Sequence, residues 1–251
     1  MTEAIGTESI ISEEIIQIRY SDIDYNKCLK PFSLLNFFQD IASDNAERLG
    51  FGYSVIYPKN LMWVLLKYRI EFEEYPYDIN DLTLKTEPRG YNKLFAYRNF
   101  ELSQSGKTIA KASSVWSLVD FKSKKMAAIE DNINTPYFSK MVPSNKDLSF
   151  NKIPKISIAD KEKEFEVRYN DIDVNMHANN GNYIVWAFEP LPIEFKANHK
   201  IKSLDMVFKK EIKYGEKLVS KTQILENNTT IHELYNKDTK EDLCNICCNW
   251  N

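Results

Sequence analysis

Residues 167–189, VRYNDIDVNMHANNGNYIVWAFE, lie over residues 18–40, IRYSDIDYNKCLKPFSLLNFFQD, without a gap. Arg-Tyr, then Asp-Ile-Asp, then an asparagine recur at the same spacing, and each copy runs on into a segment with helical character. A repeat of this kind implies two related units rather than one mosaic.

In the first copy Ser33 is the expected N-cap of a helix. Its apolar positions Leu34, Leu35, Phe37, Phe38, Ile41, Ala42, Ala46 and Leu49 follow a period near 3.6, and Gly50 is the stop. In the second copy Tyr183 to Phe188 is apolar on every side, so that helix should be enclosed before Pro190 and Pro192 end it. After each helix the composition turns to β-branched and aromatic residues with turn residues between them. Strands are expected near 63–75, 80–87, 94–104 and 107–120, and again near 203–213, 216–226, 229–237 and 241–250. The intervening 121–163, lysine-rich and marked by Pro136, Pro143 and Pro154, reads as a linker. Each unit is thus one short strand, one helix and several antiparallel strands. The economical α+β solution is a sheet wrapped around its helix, twice, side by side.

The chain of 251 residues is 43% hydrophobic, ample for such a core, and its net charge of −3 argues against a dedicated nucleic-acid binder. Its first residues, MTEAIGTESIISEE, carry acids where a secretory signal carries positive charge, and no apolar run approaches a membrane span. A cytoplasmic location is therefore expected. Of the four cysteines, Cys244, Cys247 and Cys248 form a CxxC with no second pair, and these and Cys28 read as small buried or strand residues. The seven glycines make no GxGxxG or P-loop, the three histidines exclude HExxH, and there is no GxSxG elbow.

The chemistry then falls to the repeated motif. Read as an extended segment, it turns Asp171, Asp173, Asn175 and His177 to one side and Ile172, Val174 and Met176 to the other as anchors. Asn179-Asn180-Gly181 should cap the enclosed helix, with backbone N–H groups facing developing negative charge. DxDxN has the spacing of a calcium loop, but position six is Met176 rather than Gly and position twelve is Asn182 rather than Glu. Neither metal nor cofactor is expected. Where the second copy has His177 the first has Cys28, although Asp24 and Asn26 are retained. A shared scaffold with an unshared histidine is the pattern of a duplicated fold in which one copy keeps the chemistry.

On these motifs, together with NLMWVLLKYRIEF and AKASSVWSLVDFKSKK, the chain resembles the acyl-ACP thioesterases of plants and bacteria over roughly residues 11–251. The resemblance implies two hotdog domains in tandem: a non-catalytic N-terminal unit at 11–123 that lines the acyl chain, a linker at 124–162, and a catalytic unit at 163–251. It places the family's catalytic aspartate, asparagine and histidine on Asp173, Asn175 and His177. The second catalytic stretch falls on Phe208-Lys209-Lys210-Glu211-Ile212, where Glu211 is present and the plant cysteine is not. A cysteine nucleophile is therefore not carried over, and hydrolysis by activated water, with Glu211 and His177 handling the protons, is expected, with a carboxylate nucleophile as the alternative. Which of the two is the base stays open. The implied partner is acyl carrier protein bearing a phosphopantetheine-linked fatty acyl chain. Lys196, Lys200, Lys202, Lys209, Lys210, Lys213, Lys217 and Lys221 offer a basic docking segment. An acyl-CoA thioesterase and a non-catalytic acyl-binding protein are the alternatives, and a homodimer is possible.

Overall fold

A computed structural model describes residues 9–141, 149–174 and 176–251. Five strands and one long helix make the first half: β1 (Ser12–Ile16), α1 (Pro31–Arg48), β2 (Leu61–Phe72), β3 (Leu82–Tyr91), β4 (Phe95–Gln104) and β5 (Lys107–Asp120). A one-turn helix α2 (Tyr53–Ile56) joins α1 to β2, and a short strand β6 (Lys125–Met126) and helix α3 (Ile129–Asn132) follow. The second half runs β7 (Lys161–Glu166), α4 (Asn180–Phe188), α5 (Ile193–Asn198), β8 (Ile201–Phe208), β9 (Lys217–Leu225), β10 (Thr229–Asn236) and β11 (Asp242–Trp250). Among the described residues no helix is long and apolar enough to cross a membrane.

The strands form one antiparallel sheet in the order β1-β3-β4-β5-β2-β8-β11-β10-β9-β7, so each half presents the same sequence of neighbours outward from a central seam. That seam is β2 against β8, paired from Lys67↔Val207 to Glu71↔Ser203. Arg69 faces Asp205 directly across it, and the guanidinium bonds both Asp205 and Glu71. The core crosses the seam as well, joining Leu34, Phe38 and Tyr68 to Tyr183, Ile184 and Trp186.

Helix α1 buries the expected stripe, Leu34, Leu35, Phe38, Ile41 and Ala42, against the sheet. It begins two residues before the expected cap. Pro31 occupies the first turn, where its missing N–H costs nothing, so Lys30 is the N-cap position and Ser33 is buried inside the helix. Gly50 follows the C-cap at φ +78, the left-handed conformation that lets the chain leave a helix. Helix α4 is capped by Asn179, whose side chain accepts from the Gly181 N–H, and only Val185 of its apolar run is exposed. The two helices cross at Gly181. A Cβ there would lie 2.9 Å from Asn36 Oδ1 and 3.0 Å from Phe32 Cδ2, so hydrogen is the only substituent that fits without a shift.

Two further expectations change. The stretch read as a linker is partly core: Ile129, Ile133 and Met141 are buried with Leu49, Phe51 and Leu61, closing one end of the first half. Strand β8 ends at Phe208, so Lys209–Lys213 is not strand. Its backbone turns aside to bond the motif loop, through Ala178 N–H to Ile212 O at 2.9 Å and a bridge between His177 and Lys213.

Candidate active site

The repeated motif forms the same tight loop twice. In each copy a 3-10 turn leads into a bridge, Ile23↔Leu29 in the first and Ile172↔Ala178 in the second. Asp24 N–H donates to Cys28 O and Asp173 N–H to His177 O, both at 2.8 Å. The aspartate side chains brace the loops from within, accepting from Cys28 N–H at 2.9 Å and His177 N–H at 3.3 Å. Lys27 and Met176 occupy matching left-handed positions at φ 61 and 64.

This loop replaces the extended row expected from alternation. Because the chain doubles back between Asp173 and His177, Val174 and Met176 are not anchors; they stand 90% and 62% exposed at its tip. Only Ile172 packs against the core. Asn175 lies outside the described residues. Asp171, which the alternation placed in the reacting row, is instead buried and bonded to Arg168 at 2.8 Å. Burial opposes its ionisation, but the Arg168 hydrogen bonds outweigh that and hold its carboxyl below the ordinary aspartate range. Its backbone carbonyl receives the Asn182 amide at 2.7 Å, which ties the loop to α4.

The loop points His177 at Glu211. Nδ1 and Oε2 are 3.3 Å apart, close enough for an ion pair but not aligned as a hydrogen bond. The His177 side chain is 13% exposed and that of Glu211 41%, so the pair sits at the wall of the protein with the carboxylate toward solvent. Tyr183, which the sequence reading passed over as core, belongs to the surroundings of this pair. Its hydroxyl donates to Lys210 O at 3.3 Å, and burial, with Cys244, Glu211 and Asp173 nearby, pushes it above the ordinary phenol range. Of the N–H groups expected to face an oxyanion, those of Asn179 and Gly181 are taken, by Asp171 O and by Asn179 Oδ1. Asn180 N–H remains without an acceptor among the described residues.

The first copy shows what the same loop looks like without this pair. Cys28 bridges Tyr77 as His177 bridges Lys213, which makes Tyr75 the counterpart of Glu211. Tyr75 is buried and donates to Leu29 O at 2.8 Å. Both members of the His177–Glu211 pair are thus replaced in the first copy, a correspondence visible only once the bridges align the loops. Among the described residues no three His, Cys, Asp or Glu side chains gather as a metal site.

Residues 11–137 match the acyl-ACP thioesterase N-terminal domain family, and residues 155–251 match its C-terminal domain family. The chain belongs to the acyl-ACP thioesterase family. It is 24% identical over 249 residues to the acyl-[acyl-carrier-protein] hydrolase FATB3, chloroplastic, of Cuphea viscosissima, covering 94% of this chain and 60% of that one. It is 24% identical over 236 residues to the palmitoyl-acyl carrier protein thioesterase, chloroplastic, of Arabidopsis thaliana, covering 88% of this chain and 57% of that one. The chain therefore spans 60% or less of the length of these two plant relatives. Among solved structures, the 12:0-ACP thioesterase from Umbellularia californica superposes with a TM-score of 0.88 at 20% identity, covering 98% of this chain and 99% of that one. An acyl-ACP thioesterase from Bacteroides thetaiotaomicron gives 0.86 at 23%, covering 96% and 98%. These likenesses establish the α+β tandem hotdog fold. Ile212, the position onto which the resemblance carries the plant cysteine, is fully buried.

Proposed function

We propose that the chain is a thioesterase that hydrolyses fatty acyl thioesters on acyl carrier protein to free fatty acid and carrier thiol. The observation that carries this reading is the His177–Glu211 pair, present in one copy of a duplicated loop and replaced by Cys28 and Tyr75 in the other. Binding a lipid requires neither group; moving a proton at a carbonyl employs both. Water adds its oxygen to the thioester carbon, and the carbon–sulfur bond breaks. Glu211 and His177 between them take the water proton and return it to the leaving sulfur. Asp173 holds the loop that aims His177, and Asn175 orients the carbonyl or the water. Asn180 N–H, at the start of α4, is the donor left for the oxyanion. With isoleucine at 212 and Cys28 buried in the other loop, no cysteine nucleophile enters the scheme.

The first unit, 11–123 in this division, takes the acyl chain. Its interior holds a void of about 90 Å³ lined by Ala42, Ala46, Phe51, Trp63 and Trp116, suited to the end of an alkyl chain rather than its full length. Phe32, Asn36, Gln39 and Ser43 form one stripe of α1. Its first members touch α4 at Gly181 and its last two line the void, so the helix connects the reacting end to the methyl end. The matching space in the second unit is filled by Phe188, Phe195 and Trp250, whose rings meet tilted and edge to face.

Docking of an acidic carrier is narrowed to fewer lysines than the sequence offered. Lys209 and Lys210 are paired with Asp242 and Glu241. Lys213, beside His177, and Lys217 are exposed at the start of β9 and its approach. We place the reaction in the cytoplasm on composition alone; the plant relatives are named as chloroplastic. The test is turnover on matched acyl-carrier and acyl-CoA thioesters, read by release of free thiol, with Lys213→Glu and Lys217→Glu compared. Faster hydrolysis of the carrier thioester that falls with added salt and with charge reversal supports the reading. Equal rates on both substrates would point to an acyl-CoA thioesterase, and intact thioester after long incubation to a binding protein.

A further inference from the structure

Arg98 is the one guanidinium in the wall of the void just described, and it is 5% exposed. Buried charges are ordinarily paired, because an unpaired one loses its hydration without compensation. No carboxylate meets Arg98 among the described residues. Its only hydrogen bonds there are from Nη1, to Asn45 Oδ1 at 2.8 Å and Thr86 Oγ1 at 3.0 Å. Those bonds tie α1 to the sheet, and Asn45 in turn bonds Ile10 O and Ser12 Oγ of the first strand and its approach. A neutral amide would serve that purpose equally. The second unit has Thr230 at the matching position, two residues before His232 as Arg98 is two before Phe100, and its hydroxyl is capped by Trp250 Nε1 at 2.9 Å. The charge therefore belongs to the half that has the void.

A second unpartnered polar group lies in the same cross-strand row. Tyr68 faces Ser114, and Ser114 faces Arg98, which puts Tyr68 and Arg98 two strands apart, about 10 Å at the backbone and within reach of two long side chains. The Tyr68 hydroxyl is fully buried and has no hydrogen-bond partner. Burial raises it above the ordinary phenol range, and the charge of Arg98 pulls it partly back, so the two groups sense one another. Burial likewise lowers Arg98 to about 10, which leaves it charged at neutral pH. Arg98 thus brings N–H groups without a protein acceptor to a mostly apolar wall, and the Tyr68 hydroxyl is enclosed behind it.

Resting on the reading that the acyl chain enters this void, we infer that the chain accepted there carries a hydroxyl group toward its far end. Such a hydroxyl accepts from the N–H groups of Arg98 that no protein acceptor takes. An unsubstituted methyl end makes no such bond. From Asn36, beside Gly181, to Asn45, beside Arg98, α1 rises by about 13 Å, so the guanidinium meets the distal part of a chain whose thioester lies at α4.

The test is direct binding, by calorimetry, of ω-hydroxy fatty acids from octanoic to hexadecanoic beside the unsubstituted acids of equal length. At one length or more the wild type should bind the hydroxy acid at least tenfold more tightly. Arg98→Met should bring that ratio near one, whatever the loss of its bonds to Asn45 and Thr86 does to both acids alike, and Arg98→Lys, which keeps a charge, should retain part of it. Equal binding of the two series by the wild type overturns the inference whether or not the variants fold, as does an unchanged ratio in Arg98→Met. Because binding needs no turnover, failure to hydrolyse any carrier thioester would sink the thioesterase reading and leave this one standing.

Discussion

His177 and Glu211 stand side by side because a backbone bridge two residues past Glu211 fixes the loop that carries His177. Neither side chain is fully buried, so removing either should disturb chemistry far more than packing. His177→Ala and Glu211→Gln should each lower kcat by roughly 10²–10⁴-fold, the usual weight of a positioned acid or base, with melting temperature nearly unchanged. Near-normal turnover in either variant would remove that residue from the scheme. His232 behaves differently. It is wholly enclosed in β10 between Thr222 Oγ1 at 2.9 Å and Thr230 Oγ1 at 2.8 Å, and burial lowers it from 6.5 to about 3. Between those values the unfolded chain binds a proton that the folded chain refuses, so stability rises with pH there. His232 should therefore cost nothing above pH 6.5 and erode stability steadily as pH falls toward 3. A plot of melting temperature against pH should be flatter over that window in His232→Gln.

At the scale of the elements, α1 and α4 carry the site only if they remain in close contact, and Gly181 sets their distance. Helix propensity alone favours alanine over glycine by about 1 kcal/mol. Against that, a methyl group 2.9 Å from Asn36 Oδ1 and 3.0 Å from Phe32 overpacks the crossing, at about 1–3 kcal/mol. Gly181→Ala should lower both the melting temperature and kcat; a rise in melting temperature would mean that the crossing gives way freely. Helices α1 and α4 and most strands were legible, because α1 keeps a 3.6-residue stripe, α4 an enclosed apolar run and each strand a β-branched or aromatic run; the short α2, α3 and α5 carry no such pattern. The repeat made the twofold plan legible. What could not be read was where local pattern yields to partners distant in sequence. Val174 and Met176 alternate like strand residues yet stand outside, because Asp173 bonds His177 and closes the loop. Glu211 reads as strand but is drawn off the β8 line by Ala178. Ile129, Ile133 and Met141 sit in a polar-looking stretch and become core because the end of the first half needs covering. His177 and Glu211 were legible through the motif and the family pattern. Tyr75 and Tyr183 were not, since their places come from bridges and helix packing rather than from spacing.

Over the whole molecule, the seam between β2 and β8 decides whether the halves behave as one body. Arg69 and Asp205 are both largely buried there, so cutting one partner leaves the other charged and uncompensated. Arg69→Met should cost about 3–5 kcal/mol, and adding Asp205→Leu should recover most of that loss, as replacement of a whole buried pair often does. Chemical denaturation of the two single variants and the double variant measures the coupling. If Arg69→Met alone is harmless, water reaches the seam and the pair is not a structural tie. Because one polypeptide supplies both β2 and β8, the effective concentration of one edge at the other is set by the connecting chain and not by the number of molecules in solution. An assembly of two separate subunits loses this junction on dilution. Here α1 is always present against α4, and each half was free to change its loop without imposing the same change on the other.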